Sequence, residues 1–410
     1  MKNEDLIPLL HQAMRGDAEA CEQLRLRMPK KQSNWNSTDY QFFGKIPDDT
    51  DFTQADENRK EVDRIEQKKS EVLEVAGRLA KAKRPGADRV AGCIDNCVQI
   101  VRQNTPRQFF EQWYLGKGYL VVDHGLLHGL TDLWYGLQIA DYENGRVNFE
   151  HLVYAALLHD CALVVATHTG HSHASRFLAE ALLRKEALLR KGDDRDAEKI
   201  AIIGAAHHDL EILATVKGNS ETGMMSEQDA TDYYADCLEA RIMRDADSLA
   251  VALCPERIFD NVLEWRDEDD KWLNFFDGDA AFFDQAGKPF GRTKFLAEQI
   301  QEMNTRSPGT VYLKGFRDGP PIKRFDFVQM FIDDCLRKMH WGYYLTSGAQ
   351  RIADRAWTTM NLRDEMQKFV HQWARQKGLE SQYWKGWVAL TKLLDEIAGV
   401  LSLAAPMPGR

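Results

Sequence analysis

Apolar residues recur every three to four positions along most of this chain, a spacing that predicts amphipathic helices in several blocks. Residues 4–28 and 57–83 read as helices, the second rich in charge but with Val62, Ile65, Val72, Leu73, Val75 and Leu79 repeating along it. KKQSNWNSTDYQFFGKIPDDTDFTQ between them is a polar, irregular connector. Residues 90–101 predict another helix. Thr105-Pro106 then suits a helix start for RQFFEQWYL, because proline's fixed φ fits a first turn. From there to about residue 262 one apolar-periodic helix follows another. Residues 264–326 break the pattern with glycine and proline clusters (DQAGKPFGR, NTRSPGT, KGFRDGPPIKRF) and short strand-like runs such as TVYLKG. A tryptophan-rich helical stretch covers 326–403. The near-repeat LLRKEALLRKG at 182–192 reads as a solvated basic helix face. The expected organisation is a helical region over 1–104, a central helical domain over 105–262, an irregular insertion or lid over 263–325 and a C-terminal helical region over 326–410.

Composition narrows the function classes. At 410 residues and 44% hydrophobic, the chain can bury a substantial core. A net charge of -10 disfavours broad electrostatic binding of nucleic acid, which needs a basic face. The first residues lack the basic, apolar, small-residue order of a secretory leader, and no run approaches the roughly 18 apolar residues of a membrane span. No membrane association is expected. The seven cysteines, at 21, 93, 97, 161, 237, 254 and 335, are odd in number and scattered, which suits reduced thiols in the cytoplasm. Cys93 and Cys97 stand one helical turn apart without a second cysteine or histidine pair, so packing is expected of them.

The histidines are the unusual feature. LLHDCALVVATHTGHSHAS, residues 157–175, sets four of them and an aspartate beside an apolar run. Buried imidazoles need a hydrogen-bond partner or a metal at each ring nitrogen. His124 and His128 are four apart and read as one face of a helix. His159-Asp160 ends the apolar helix LVYAALLHD, and His171 and His173 open the helix ASRFLAEALL. His207-His208 ends AEKIAIIGAAHHD, and Asp245 and Asp247 lie in CLEARIMRDADSLAVAL. Each taken alone is ordinary, and His11 and His168 read as a core and a solvated histidine. Together they form the imidazole and carboxylate set that Mn, Fe, Co, Ni or Zn sites use.

The order H, HD, H, HH, D, with each member on its own helix, resembles the HD-domain metal-dependent phosphohydrolase superfamily over roughly residues 105–262. The resemblance implies an all-α HD bundle, extended by helices at both ends and by the irregular insertion. It implies a first metal site of His128, His159, Asp160 and Asp247. His171, with Ser175 four residues on, together with His207 and His208 resembles the extra ligands of the two-metal branch, found in HD-GYP phosphodiesterases and CRISPR-type HD nucleases. Asp160 would bridge the two ions. His124 stands where HD-GYP proteins carry an additional acid, as a substituted ligand or a partner of one. Cys161-Ala162-Leu163 departs from the glycine and lysine that usually follow HD, and HHDLEILATVKG holds no GYP tripeptide. The glutamate-aspartate pair of alarmone hydrolases is also missing.

Two divalent ions bridged by a carboxylate would supply a hydroxide nucleophile at neutral pH and bind phosphoryl oxygens, and imidazole-rich coordination favours borderline transition metals over Mg. His173, two residues from His171 and so about 200° round the helix, is expected to support a ligand or to protonate the leaving oxygen. Arg244 is expected to meet substrate charge, with Lys217, Arg292, Lys294, Lys314, Lys323 and Arg324 as further candidate cations. The expected activity is hydrolysis of a phosphoester bond in a nucleotide or another small phosphate ester or diester. The alternatives are an HD nuclease on single-stranded nucleic acid, a mixed-valent di-iron oxygenase of the HD fold, and a non-catalytic signalling module. The sequence leaves the oligomeric state open.

Overall fold

A computed structural model describes residues 6–13, 17, 19, 20, 23, 53, 58–116, 124–143, 145–164, 171–190, 194–207, 236–252, 282, 283, 289, 290 and 344–359. The chain divides into two compact units, Met1–Asp247 and Ser248–Arg410. The connector expected over residues 30–54 lies outside the described residues except for Thr53, and so does the boundary expected at 262.

In the first unit, α1 (Leu6–Ala13) buries Leu6, Ile7, Leu9, Leu10 and Ala13. The single helix expected over 4–28 is interrupted. Asp17 Oδ1 accepts the backbone N–H groups of Glu19 at 2.9 Å and Ala20 at 3.0 Å, an N-cap arrangement that starts a new turn. His11 behaves as a core histidine, its Nε2 donating to the Asn104 carbonyl at 3.3 Å. The long helix α2 (Arg59–Lys81) buries Ile65, Val72, Val75, Ala76 and Leu79, and α3 (Val90–Asn104) buries Val90, Ile94, Cys97, Ile100 and Val101. The chain leaving α2 is tied to the next layer by Arg84. Its Nη2 donates to the carbonyls of Ala140 at 2.7 Å and Glu143 at 3.1 Å, groups that a helix C-terminus leaves without intrahelical partners. Pro106 precedes α4 (Arg107–Leu115), which ends at Gly116 in the left-handed region, φ 67°.

The middle of the unit is built on α5 (Leu126–Tyr142) and α6 (Phe149–Leu158). Every residue of α6 except Glu150 is buried, which is why its sequence shows no polar face. Asn148 caps it by accepting the His151 N–H, and α6 packs against α3, α5 and α8. A 3-10 turn at Cys161–Val164 follows, then α7 (His171–Arg190), α8 (Asp194–Ala205) and α9 (Leu238–Ala252). Glu239 fastens the start of α9 to that of α6, its Oε1 accepting the Asn148 N–H at 2.7 Å.

In the second unit the described residues beyond Ala252 include α10 (Ser347–Thr359), which buries Ala349, Ala353 and Ala356, and a pair of two-residue antiparallel strands. β1 (Phe282–Phe283) pairs with β2 (Pro289–Phe290), Phe282 opposite Phe290, within the stretch expected to be irregular. The run TVYLKG lies outside the described residues. The all-α class holds with this one short hairpin. Among the described residues no helix is long and apolar enough to cross a membrane.

Candidate metal centre

Close backbone approach sets the position of the site. A Cβ at Gly129 would sit 2.7 Å from the Ala156 carbonyl oxygen and 3.0 Å from Leu157 Cα, so α5 crosses α6 at a distance that only glycine permits. On the other flank, a Cβ at Gly204 would meet the Ala155 carbonyl at 3.3 Å and His159 Cα at 3.5 Å. His128 and His207 are thereby both brought close to His159. Ring centroids lie 5.1 Å apart for His128 and His159 and 4.6 Å for His159 and His207.

Helix ends orient two of these rings. His159 caps α6, and its Nδ1–H donates to the Ala156 carbonyl at 2.8 Å. His207, two residues beyond α8, repeats the arrangement with the Gly204 carbonyl at 2.6 Å. A carbonyl can only accept, so Nδ1 carries a proton and each ring turns Nε2 inward, leaving that nitrogen to a metal once it has lost any proton of its own, as in metal-bound histidines. His159 Nε2 is sealed from solvent and makes no hydrogen bond of acceptable geometry, although Asp160 Oδ2 lies 3.1 Å away.

Carboxylates converge on those nitrogens. His128 Nε2 is 3.3 Å from Asp247 Oδ1 and 3.6 Å from Asp160 Oδ2, while Asp160 Oδ1 is 3.5 Å from His207 Nε2. The two oxygens of Asp160 therefore serve different imidazoles. Donor atoms of His128, Asp132, His159 and Asp247 all lie within 4.8 Å of one another, and so do those of His159, Asp160 and His207. All are buried except Asp247, whose side chain is 17% exposed and marks where the cluster opens. Buried carboxylates at this density require counter-charge. In the metal-free protein protons supply it. Burial pushes the His159 imidazole down, but the carboxylates of Asp160, Asp132 and Asp247 prevail and hold its pKa at about 10. Asp247 is pushed up by the same burial, yet His128, with His207 and His159, holds it well below the usual carboxylate range. A divalent metal ion replacing those protons would meet an inward, buried nitrogen without a hydrogen bond among these oxygens, a donor set that fits a metal site.

Several expectations meet the structure differently. His124 does not share a helix with His128, because α5 begins only at Leu126. Gly125 is extended (φ -99°, ψ -155°) and packed so tightly on the Trp113 carbonyl and the Gly116 backbone that no helical turn forms there. The ring of His124 still lies beside that of His128, with centroids 5.3 Å apart. Arg244, expected to meet substrate, is among the largest fully buried side chains, and its Nη1 pairs with Asp245 Oδ1 at 2.8 Å. His171 and His173 stand in the first turn of α7, but their side chains lie outside what is described. His168, His208 and the candidate cations Lys217, Arg292, Lys294, Lys314, Lys323 and Arg324 also lie outside the described residues. Ser175 is buried and anchors the turn after His159-Asp160, its Oγ accepting the Ala162 N–H at 3.0 Å. Asp132 was not anticipated. Its signal was an acid one turn after His128, on the face that also carries Gly129 and Gly136 in a helix otherwise rich in leucine.

Residues 130–252 match the family model of the HD domain, a stretch that contains His159, Asp160, His207 and Asp247. Searches of curated proteins and of solved structures returned no match to the chain. Residues 130–252, which carry most of the His/Asp cluster, are thus similar to the HD domain, a family whose members are in general metal-dependent hydrolases.

Proposed function

We propose that this chain hydrolyses a phosphoester bond in a nucleotide or another small phosphate ester or diester, with two divalent transition-metal ions. The observation that carries the reading is the inward, unsatisfied Nε2 of His159 amid the donor atoms of His128, Asp160, His207 and Asp247. Divalent ions held there supply Lewis acidity, activating water near neutral pH and taking up charge on a phosphoryl oxygen. The protein's part is to hold the donors. His128 and Asp247 would hold one ion and His207 the other, joined there by His171 and His208. Asp160, whose two oxygens lie near different imidazoles, would serve both ions. His173 protonates the leaving oxygen. An imidazole-rich set favours Mn, Fe, Co, Ni or Zn over Mg.

The test is anaerobic phosphate release from a panel of phosphomonoesters, phosphodiesters and nucleotides, using protein stripped by chelator and reloaded with Mn or Co. Turnover restored by either metal and abolished in Asp160→Ala is the expected result. Activity requiring both iron and O₂ would overturn the reading in favour of an oxygenase, and oligonucleotide cleavage exceeding mononucleotide turnover by orders of magnitude would assign a nuclease.

A further inference from the structure

Asp132 is completely buried on α5, one turn beyond His128, and the reading above gives it no task. Its Oδ1 lies 3.4 Å from His128 Nδ1 and its Oδ2 lies 3.4 Å from His159 Nε2. A carboxylate that merely oriented His128 would use only the first contact. The second contact sets it apart, because His159 turns Nδ1 to the Ala156 carbonyl and so presents Nε2 to the centre, where that nitrogen makes no hydrogen bond. Donors bound to one divalent ion at about 2.0–2.2 Å stand about 3–3.5 Å from their neighbours. The spacings of Asp132 Oδ2 and Asp160 Oδ2 from His159 Nε2, 3.4 Å and 3.1 Å, both fit that separation. Asp132 also belongs with His128, His159 and Asp247 in the four-donor group whose atoms lie within 4.8 Å of one another.

We propose that Asp132 is a third carboxylate ligand of the metal centre, binding through Oδ2 the ion that His128, His159 and Asp247 hold. The inference rests on the metal-centre reading but not on the identity of the substrate. Its consequence is selectivity. A further hard, anionic oxygen moves an imidazole site from Zn toward Mn and Fe(II), since carboxylate donors suit Mn while imidazole serves Zn equally well.

The experiment measures Mn and Zn affinity of the full chain after chelator treatment, by EPR of free Mn and by competition with a chromophoric Zn chelator. Apo-protein circular dichroism provides the folding check. In Asp132→Asn, Mn affinity should fall by about 100-fold or more and Zn affinity by about tenfold, so that the Mn/Zn ratio shifts by about an order of magnitude. A carboxylate acting only behind His128 would weaken both metals by the same factor, and a parallel fall overturns the proposal. So does unchanged Mn binding. Asp132→Cys keeps the proposal open to refutation if the Asn variant does not fold: a thiolate in the coordination shell inverts the preference strongly toward Zn, whereas an unshifted ratio overturns it. Wild-type protein that folds and binds neither metal overturns the metal centre as a whole. Loaded wild-type protein that turns over no phosphoester, with the Asp132 shift intact, overturns the phosphohydrolase reading alone and supports the ligand assignment.

Discussion

Adding one methyl group at each of three helical glycines should give three different outcomes, read directly from the space around each. At Gly129 the new carbon meets the Ala156 carbonyl at 2.7 Å, and both partners are backbone, so α5 and α6 must separate by about 0.7 Å to reach an ordinary 3.4 Å contact. Overpacking of this kind costs about 1–3 kcal/mol, partly offset by the roughly 0.5–1 kcal/mol by which alanine exceeds glycine as a helix former. The net loss of about 0–2.5 kcal/mol corresponds to a fall in Tm of up to about 10 °C for a unit of this size. At Gly77, in α2, nothing lies within 4 Å, so only the helix-propensity gain remains and Tm should rise by about 1–4 °C. Gly136 is intermediate, its nearest neighbour being the Leu152 side chain at an ordinary 3.4 Å. The Gly129 substitution should also weaken metal binding by about tenfold, because a displacement near 0.7 Å exceeds the roughly 0.5 Å tolerance of a preorganised site. Thermal melts of the apo variants and Mn titrations provide the readouts. If Gly129→Ala matches Gly77→Ala in both, close approach through Gly129 does not position His128.

Two further outcomes follow from the electrostatics. The His159 pKa, raised in the folded metal-free protein from an ordinary 6.5 to about 10, contributes stability that is fully present below about pH 6.5 and is lost as pH rises through about 10; Asp247, held low, contributes above the ordinary carboxylate range and is lost on acidification. The apo Tm should therefore fall between pH 7 and 10, and an apo His159→Gln variant that keeps the same slope would remove His159 as its source. The Cys93 thiol is pushed up to about 11, first by burial and then by Glu150, so its alkylation by iodoacetamide, followed by site-resolved mass spectrometry, should accelerate about tenfold per pH unit from 7 to 10. A rate that levels off near pH 9 would contradict that environment.

Much of the site was legible because each of its residues breaks a local pattern. His159-Asp160 closes a helix without a polar face, and His207 and Asp247 interrupt periodic apolar runs. Asp132 breaks the pattern in the same way but less visibly, since the leucines around it account for the helix by themselves. The start of α5 was not legible. Spacing alone puts His124 one turn before His128, and what forbids that turn is Gly125 lying against Trp113, a contact with a residue twelve positions earlier. The break near Asp17 carried its own signal, an acid able to cap the next turn. The burial of Arg244 carried none, because a cation beside two acids reads equally well as a surface charge or as an internal pair.

The two imidazoles that lean on carbonyls three residues behind them tie coordination to backbone cooperativity. The acceptors, Ala156 and Gly204, belong to the last turns of α6 and α8, where fraying begins. Once such a turn opens, the ring loses both its fixed rotation and the proton address that keeps Nε2 bare. Dissociation of an ion would then be governed less by bond strength at the donors than by how often one helical turn unwinds. The glycine at position 204, poor at holding a helix together, makes the His207 side the more easily opened of the two.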